Sequence, residues 1–317
     1  MMRFQIKDIA PVFLVSIGLL FVFSSCFTGI ESTKKITLSR EEKKIIKPTE
    51  EELFFTGFTG TPVEEWREGQ EFYVTDNKAI LIFEPHGFPL DASLPELEGD
   101  TLTYVGVESR LDPAGNITLV INFSDGKFKY PYNTGRPFDT AISSVRSDQI
   151  PMLIDLQTVN KVRDLLKGQK LWTKTLLWYD EKGERINGKK FVPVIIEDVE
   201  PGNMVFPLRL KIKDEDDNFA WLWMNFGIAG TDSRSFPRLF SMSDPKRHYS
   251  SITDENWKLI CEGNIARGMT KEECRLSLGN PIEINSGHDY SQTLDIWTYE
   301  NGVVLWFVDG VLSRYRK

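Results

Sequence analysis

The chain has 317 residues, of which 41% are hydrophobic and 12% aromatic, and its formal net charge is −8. This length is sufficient for two or three domains with cores of their own. Because an acidic chain has no electrostatic attraction to phosphate backbones or anionic lipid head groups, the charge argues against nucleic-acid binding.

The N-terminal segment has the three parts of a secretory signal. Arg3 and Lys7 make it positive, an apolar run follows from Ala10 to Phe23, and Ser24-Ser25 precede Cys26. The apolar run has about 14 residues, whereas a membrane-spanning helix needs about 20. The sequence therefore predicts a signal peptide over residues 1–25.

A cysteine directly after the predicted cleavage point resembles the lipobox of bacterial lipoproteins. The resemblance implies that Cys26 becomes the N-terminus and is acylated with fatty acids such as palmitate. It also implies a cell-envelope location, lipid-anchored to a bacterial membrane, for which the outer membrane is expected. A cleaved signal without acylation is the alternative, because Phe23 is large for its place in a lipobox.

Residues 26–60 are predicted to form a flexible tether between the anchor and the body. They are polar and charged, with little apolar periodicity before Phe54 and Phe55. A segment of this composition buries too little apolar surface to fold by itself.

Residues 61–245 are typical of β-structure, because short alternating stretches rich in Val, Ile, Thr and aromatic residues are separated by turn signals. A helix over about Asp155–Leu166 is predicted between two β units, 61–150 and 151–245, because its apolar residues form one stripe. The predicted strands are Thr101–Val107, Ile117–Phe123, Lys127–Tyr132, Leu171–Tyr179, Leu208–Lys213 and Phe219–Phe226.

The two β units look like copies of one another. Glu68–Val74 (EGQEFYV) matches Lys167–Thr173 (KGQKLWT), and a later hairpin that begins at Ile117 matches one that begins at Leu208. Matches in the same order and at similar separation favour a duplication. Strands of this length and number resemble SH3-like barrels, and the resemblance implies two small SH3-like β-barrel repeats.

Residues 250–317 change in character and predict an α+β module. A short helical pattern is followed by a capping box at Thr270–Glu273, and the second helix ends at Gly279 before Pro281. Asn-Gly and Asp-Gly turns then join strand-like runs into an antiparallel meander. The predicted runs are Thr293–Tyr299, Val303–Val308 and Val311–Tyr315. The whole chain is thus predicted to be mainly β with a C-terminal helix-helix-β-meander module.

This C-terminal sequence is similar to the SmpA/OmlA (BamE-like) family. The shared features are Gly-Met-Thr at 268–270, Leu-Gly-Asn-Pro at 278–281, Trp-Thr-Tyr at 297–299 and the final strand Leu305–Gly310. The resemblance implies a protein-binding module found in lipoproteins of outer-membrane protein assembly and in β-lactamase-inhibitory proteins, with no catalytic residue in the motif. Membership in the assembly machinery stays open, because here a long β-region precedes the module.

Two cysteines, Cys261 and Cys274, remain if Cys26 is acylated. An even number in an oxidising compartment indicates one disulfide. Two free buried thiols are the second interpretation, and a metal site with His288 is the third, because the spacing matches no compact zinc pattern. A disulfide between the two helices also fits the SmpA/OmlA-like fold.

Four tryptophans are candidate binding residues: Trp221, Trp223, Trp297 and Trp306. The first two share one side of their strand, and the others lie on strands of the C-terminal sheet. Each either fills a core or forms a contact surface. Trp306 is the favoured contact residue, because Leu305 and Phe307 already supply the opposite face of the strand.

The sequence has no GxSxG, HExxH, phosphate-loop or dinucleotide-binding motif, and His86, His248 and His288 stand in loop-like contexts. We therefore expect no catalytic residue, metal or cofactor. The favoured function is non-enzymatic binding of an envelope protein partner as a scaffold module. The alternative is a periplasm-side or surface lipoprotein that recognises peptidoglycan, peptide or glycan in aromatic grooves.

Overall fold

The computed structural model describes residues 48–84, 95–227, 234–289 and 292–317. In this part the chain is mainly β, as predicted. The helices are α1 (Glu50–Phe54), α2 (Phe138–Ser144), α3 (Leu156–Leu166), α4 (Phe236–Leu239), α5 (Asp254–Cys261) and α6 (Lys271–Leu278). The strands are β1 (Glu71–Val74), β2 (Thr101–Leu111), β3 (Ile117–Ser124), β4 (Lys129–Pro137), β5 (Leu153–Asp155), β6 (Lys170–Thr173), β7 (Leu177–Tyr179), β8 (Arg185–Asn187), β9 (Pro193–Pro201), β10 (Leu208–Lys213), β11 (Phe219–Met224), β12 (Phe240–Ser241), β13 (Glu283–Asp289), β14 (Gln292–Thr298), β15 (Val304–Val308) and β16 (Val311–Arg316).

These strands form three antiparallel sheets, each with a core of its own. The strand orders are β4-β3-β2-β1-β5, β12-β6-β9-β10-β11-β7-β8 and β13-β14-β15-β16. Alternation along the strands builds the cores. In β10, for example, Leu208, Leu210 and Ile212 are fully buried, while the arginine and lysines between them face outward.

The first two sheets share a strand order. Strands β4-β3-β2-β1-β5 correspond to β11-β10-β9-β6-β12, and the hairpin β7–β8 is an addition that pairs with β11. The Gly-Gln signature makes the same hydrogen bond in both sheets. The Gly69 amide donates to the Tyr104 carbonyl on β2 (2.9 Å), and the Gly168 amide donates to the Ile196 carbonyl on β9 (2.8 Å). Both glycines have positive φ, 90° and 80°, which explains why glycine stands there.

The first sheet extends beyond the boundary predicted at residue 150. Strand β5 pairs with β1, so residues up to Asp155 belong to the first sheet. Asp155 then caps α3, accepting a hydrogen bond from the Gln157 amide (3.0 Å). The helix packs its apolar stripe, including Val159, Val162 and Leu166, on the core of the second sheet.

The prediction of a flexible tether over residues 26–60 is wrong for residues 48–60. Residues 48–60 are packed: Thr49 forms a capping box for α1, and Phe55 is fully buried, with its ring centroid 5.1 Å from that of Phe236. Three aromatic residues, Phe54, Phe55 and Phe58, contribute to the core of the second sheet, which composition alone did not indicate. The signal peptide, Cys26 and residues 26–47 lie outside the described residues.

The C-terminal part consists of α5, α6 and the third sheet. The predicted capping box is present: the Glu273 amide donates to Thr270 Oγ1 (3.2 Å), and the Thr270 amide donates to the Glu273 carboxylate (2.7 Å). The sheet has four strands, whereas three were predicted. Strand β13, with the sequence EINSGHD, was missed because it is polar and contains a glycine.

The helices of the C-terminal part pack against the second sheet and its connections. Phe191 stacks on Trp257 with ring centroids 5.6 Å apart, and a Cβ added to Gly263 would overlap Leu176. Buried Lys190 reaches across to donate to the carbonyls of Leu276 and Ser277 at the end of α6. One face of the third sheet packs on these helices, because Trp297, Leu305 and Phe307 share a buried core with helix residues such as Trp257 and Cys274. No helix in the described ranges is long and apolar enough to cross a membrane.

Candidate functional site

The four candidate tryptophans have different environments. Trp297 is 2% exposed in the core of the third sheet, and Trp221 is 7% exposed on the second sheet. Trp223 and Trp306 are half-buried. Because a contact residue must reach a partner, exposure favours Trp223 and Trp306 over the other two.

Trp306 lies on the outer face of the third sheet. Its neighbours Leu305 and Phe307 are buried on the inner face, as strand alternation predicts. Cross-strand pairing brings Ile296 and Arg314 to either side of Trp306. We define the Trp306 face as this outer surface: Leu294, Ile296, Val304, Trp306, Val308, Val311, Arg314 and Arg316.

The Trp306 face is an apolar surface with a basic edge. None of its apolar side chains belongs to the three cores in the described part of the chain, and Ile296 and Val311 are 36% and 42% exposed. The Arg314 guanidinium lies 4.5 Å from the centre of the Trp306 ring, a cation–π contact that orients the indole. An apolar centre with a large aromatic residue and an arginine is typical of protein contact surfaces.

Trp221 and Trp223 share the outer face of the second sheet, as predicted, but cations of the chain cover Trp221. The Arg209 guanidinium is 5.1 Å from the Trp221 ring and 5.6 Å from the Trp223 ring, and Lys211 is 5.5 Å from Trp221. Arg209 also donates to the carbonyls of Asp180 and Glu181 in the β7–β8 turn. The ring faces that a sugar would stack on are therefore largely occupied at Trp221.

Cys261 and Cys274 are free, buried thiols, so the structure does not contain the predicted disulfide. Cys261 ends α5, Cys274 lies in α6, and both pack as apolar side chains in the core of the third sheet. Burial raises the pKa of Cys261 to about 11 and that of Cys274 to about 12. Neutral thiols of this kind are poor nucleophiles and poor metal ligands.

The histidines do not assemble a catalytic or metal site in the described residues. His248 and His288 are exposed, and His86 lies outside the described ranges. Within those ranges, no three His, Cys, Asp or Glu side chains are grouped so that they could hold a metal ion. The predicted cysteine–histidine–metal alternative has no geometric support there.

Two features were not predicted from the sequence. One is Lys190, whose ammonium group is buried against backbone carbonyls of a helix 86 residues further along the chain. The other is a cavity between the first and second sheets, lined by five separate parts of the chain. Both depend on contacts between segments that are distant in sequence, so no local pattern indicates them.

Comparison with known proteins gives no assignment: no protein-family model and no curated protein sequence matches this chain.

Proposed function

We propose that the chain is a lipid-anchored cell-envelope protein that acts as a non-enzymatic binding or scaffold module for another protein. The observation that carries the proposal is the Trp306 face, a partly exposed surface whose apolar side chains belong to none of the three cores in the described part of the chain. Cys26 after a signal-like segment supports the anchor. The helix-helix-meander order supports an SmpA/OmlA-like module, and the shared strand order of the first two sheets supports SH3-like repeats.

Charge suggests the chemistry of the partner surface. Arg314 and Arg316 lie on β16, at one edge of the Trp306 face, and Trp306 lies near its centre. Complementary interfaces place opposite charges at the rim and apolar groups at the centre. The partner surface is therefore expected to be apolar, with acidic residues along the side that meets β16.

The experiment is cross-linking and affinity purification of the full chain from its own envelope, with a Trp306→Asp variant beside it. Aspartate places a charge at the centre of the apolar face without changing the buried side of β15. Leu81→Asp is the matched control, because Leu81 is 75% exposed and lies far along the chain in the first β unit. A Cys26→Ser variant tests the anchor in the same preparations.

Support requires a protein that is captured by the parent chain and by Leu81→Asp, is lost with Trp306→Asp, and binds the purified parent chain directly. We expect at least a tenfold loss of affinity, since central aromatic residues contribute about 2 kcal/mol or more to interfaces. Equal capture by both variants would reject the Trp306 face as the contact. Membrane association that persists in Cys26→Ser would reject the lipid anchor.

A further inference from the structure

A cavity of about 230 Å³ lies between the first and second sheets. Its lining comes from five parts of the chain: Gly60, Thr75, residues 147–158, the β9–β10 loop and Phe226 after β11. Clefts between domains are common ligand sites, but most ligand pockets are larger than about 300 Å³. A cavity of about 150 Å³ is sufficient for benzene. The space here therefore fits a group of about one ring, rather than a cofactor or a long chain.

Part of the cavity lining is apolar and adaptable. Met152, Met204 and Phe226 contribute to it, and unbranched methionine side chains adjust to ligands of different shape. Met204, which lines the cavity, is 61% exposed, and its chain neighbour Val205 is 66% exposed. Met204 therefore offers apolar surface both to the cavity and to solvent.

The lining also includes a buried carboxylate. Asp155 is 4% exposed and accepts four hydrogen bonds, all from uncharged donors. The donors are Gln70 Nε2 (3.1 Å), Ser147 Oγ (3.0 Å), the Gln157 amide (3.0 Å) and Thr158 Oγ1 (2.8 Å). These hydrogen bonds stabilise the buried carboxylate, and Asp155 is also the N-cap residue of α3.

The cavity has no positive charge of its own. Its lining contains Asp148 and Asp155 but no lysine or arginine. Neither carboxylate takes part in any of the salt bridges found among the described residues. A buried carboxylate without a cation is stabilised when a positive group binds nearby.

We propose that this cavity is a binding site for a small group that joins an apolar ring or branched chain to a positive charge. The apolar part contacts Met152, Met204 and Phe226, and the charge lies toward Asp148 and Asp155. The site is independent of the Trp306 face, so it adds a second recognition function to the chain.

The test uses three probes of nearly equal shape with the full chain: benzamidine (positive), benzamide (neutral) and benzoate (negative), followed by ligand-observed NMR. We expect benzamidine to bind most tightly and benzoate to show no binding. Asp148→Asn should weaken benzamidine about two- to fivefold, the range for a partly exposed ion pair, while benzamide is unaffected. Met204→Lys should abolish benzamidine binding, and Leu81→Lys, which replaces another exposed apolar residue outside the cavity lining, should not.

Equal binding of the three probes, or unchanged benzamidine binding in Met204→Lys, would overturn the proposal. Thermal melting of each variant establishes that it is folded before its affinity is compared. A capped dipeptide, acetyl-phenylalanyl-argininamide, distinguishes the sources of the group. Tighter binding than benzamidine assigns the group to a peptide side chain, and weaker binding assigns it to a free small molecule.

Discussion

At the scale of single residues, burial decides what the two C-terminal cysteines can do. A disulfide was the first expectation for an even pair in an oxidising compartment, yet both thiols lie in the core of the third sheet as free groups. Burial raises the pKa of Cys261 to about 11 and of Cys274 to about 12, because a thiolate there would lose its hydration. They act as small apolar side chains.

We therefore predict that Cys261 and Cys274 are unreactive in the folded protein and reactive when it unfolds. In a Cys26→Ser chain at pH 8, a thiol reagent should label neither residue natively and both in denaturant, and a reductant should not change the Tm. Above pH 9 the unfolded thiols ionise while the folded ones stay neutral to about 11, so the contribution of the two thiols to the free energy of unfolding should fall across that range. Absence of reactive thiols in denaturant would instead establish the disulfide.

At the scale of elements, Lys190 links the connection before β9 to the end of α6. Its ammonium group donates to the carbonyls of Leu276 and Ser277, the latter at 2.6 Å, and so caps a helix from another part of the chain. Its own amide donates to the Cys261 carbonyl (2.9 Å), which adds a contact with the end of α5. Burial lowers the pKa of Lys190 from 10.5 to about 8.

This shift predicts a pH dependence that Lys190→Met removes. Between pH 8 and 10.5 the unfolded state binds more protons at this site than the folded state, so this group makes the free energy of unfolding rise with pH. The parent chain should therefore gain stability relative to Lys190→Met over that interval in denaturant titrations. Lys189→Met, which changes the exposed neighbour, should give a pH profile parallel to that of the parent. A constant difference between the parent and Lys190→Met would contradict this role.

Elements defined by local patterns were predictable, and those defined by distant contacts were not. Strand β10 and the capping box of α6 match the sequence prediction, since alternation and cap chemistry act within a few residues. The predicted strand Leu171–Tyr179 is instead two strands, β6 and β7, with different partners. Strand β9 was missed because a proline stands at each end of it. The Trp306 face could be predicted from alternation, whereas the cavity could not, because its lining comes from five parts of the chain that are distant in sequence.

At the scale of the whole molecule, the second and third sheets share side chains at their contact. Val192 packs against both cores, Phe191 stacks on Trp257, and Leu176 fits against Gly263. The C-terminal part is thus a structural support for the second sheet as well as a carrier of the Trp306 face. Experiments that delete it change both properties at once.

Removal of Ile252–Lys317 is accordingly predicted to destabilise the chain that remains. The deletion exposes part of the side chains of Leu176, Phe191 and Val192, which should lower the free energy of unfolding by about 3 kcal/mol. This loss corresponds to a fall in Tm of roughly 6 to 12 °C. Trp306→Asp should lower the Tm by less than the deletion does, because it removes one half-buried side chain and its contact with Arg314 but no core residue among those described. If the deletion leaves the Tm unchanged, the contact between the second and third sheets is weak in solution. If the Tm falls, a partner lost on deletion reflects damage to either part, and only the Trp306 variant assigns the partner to the face.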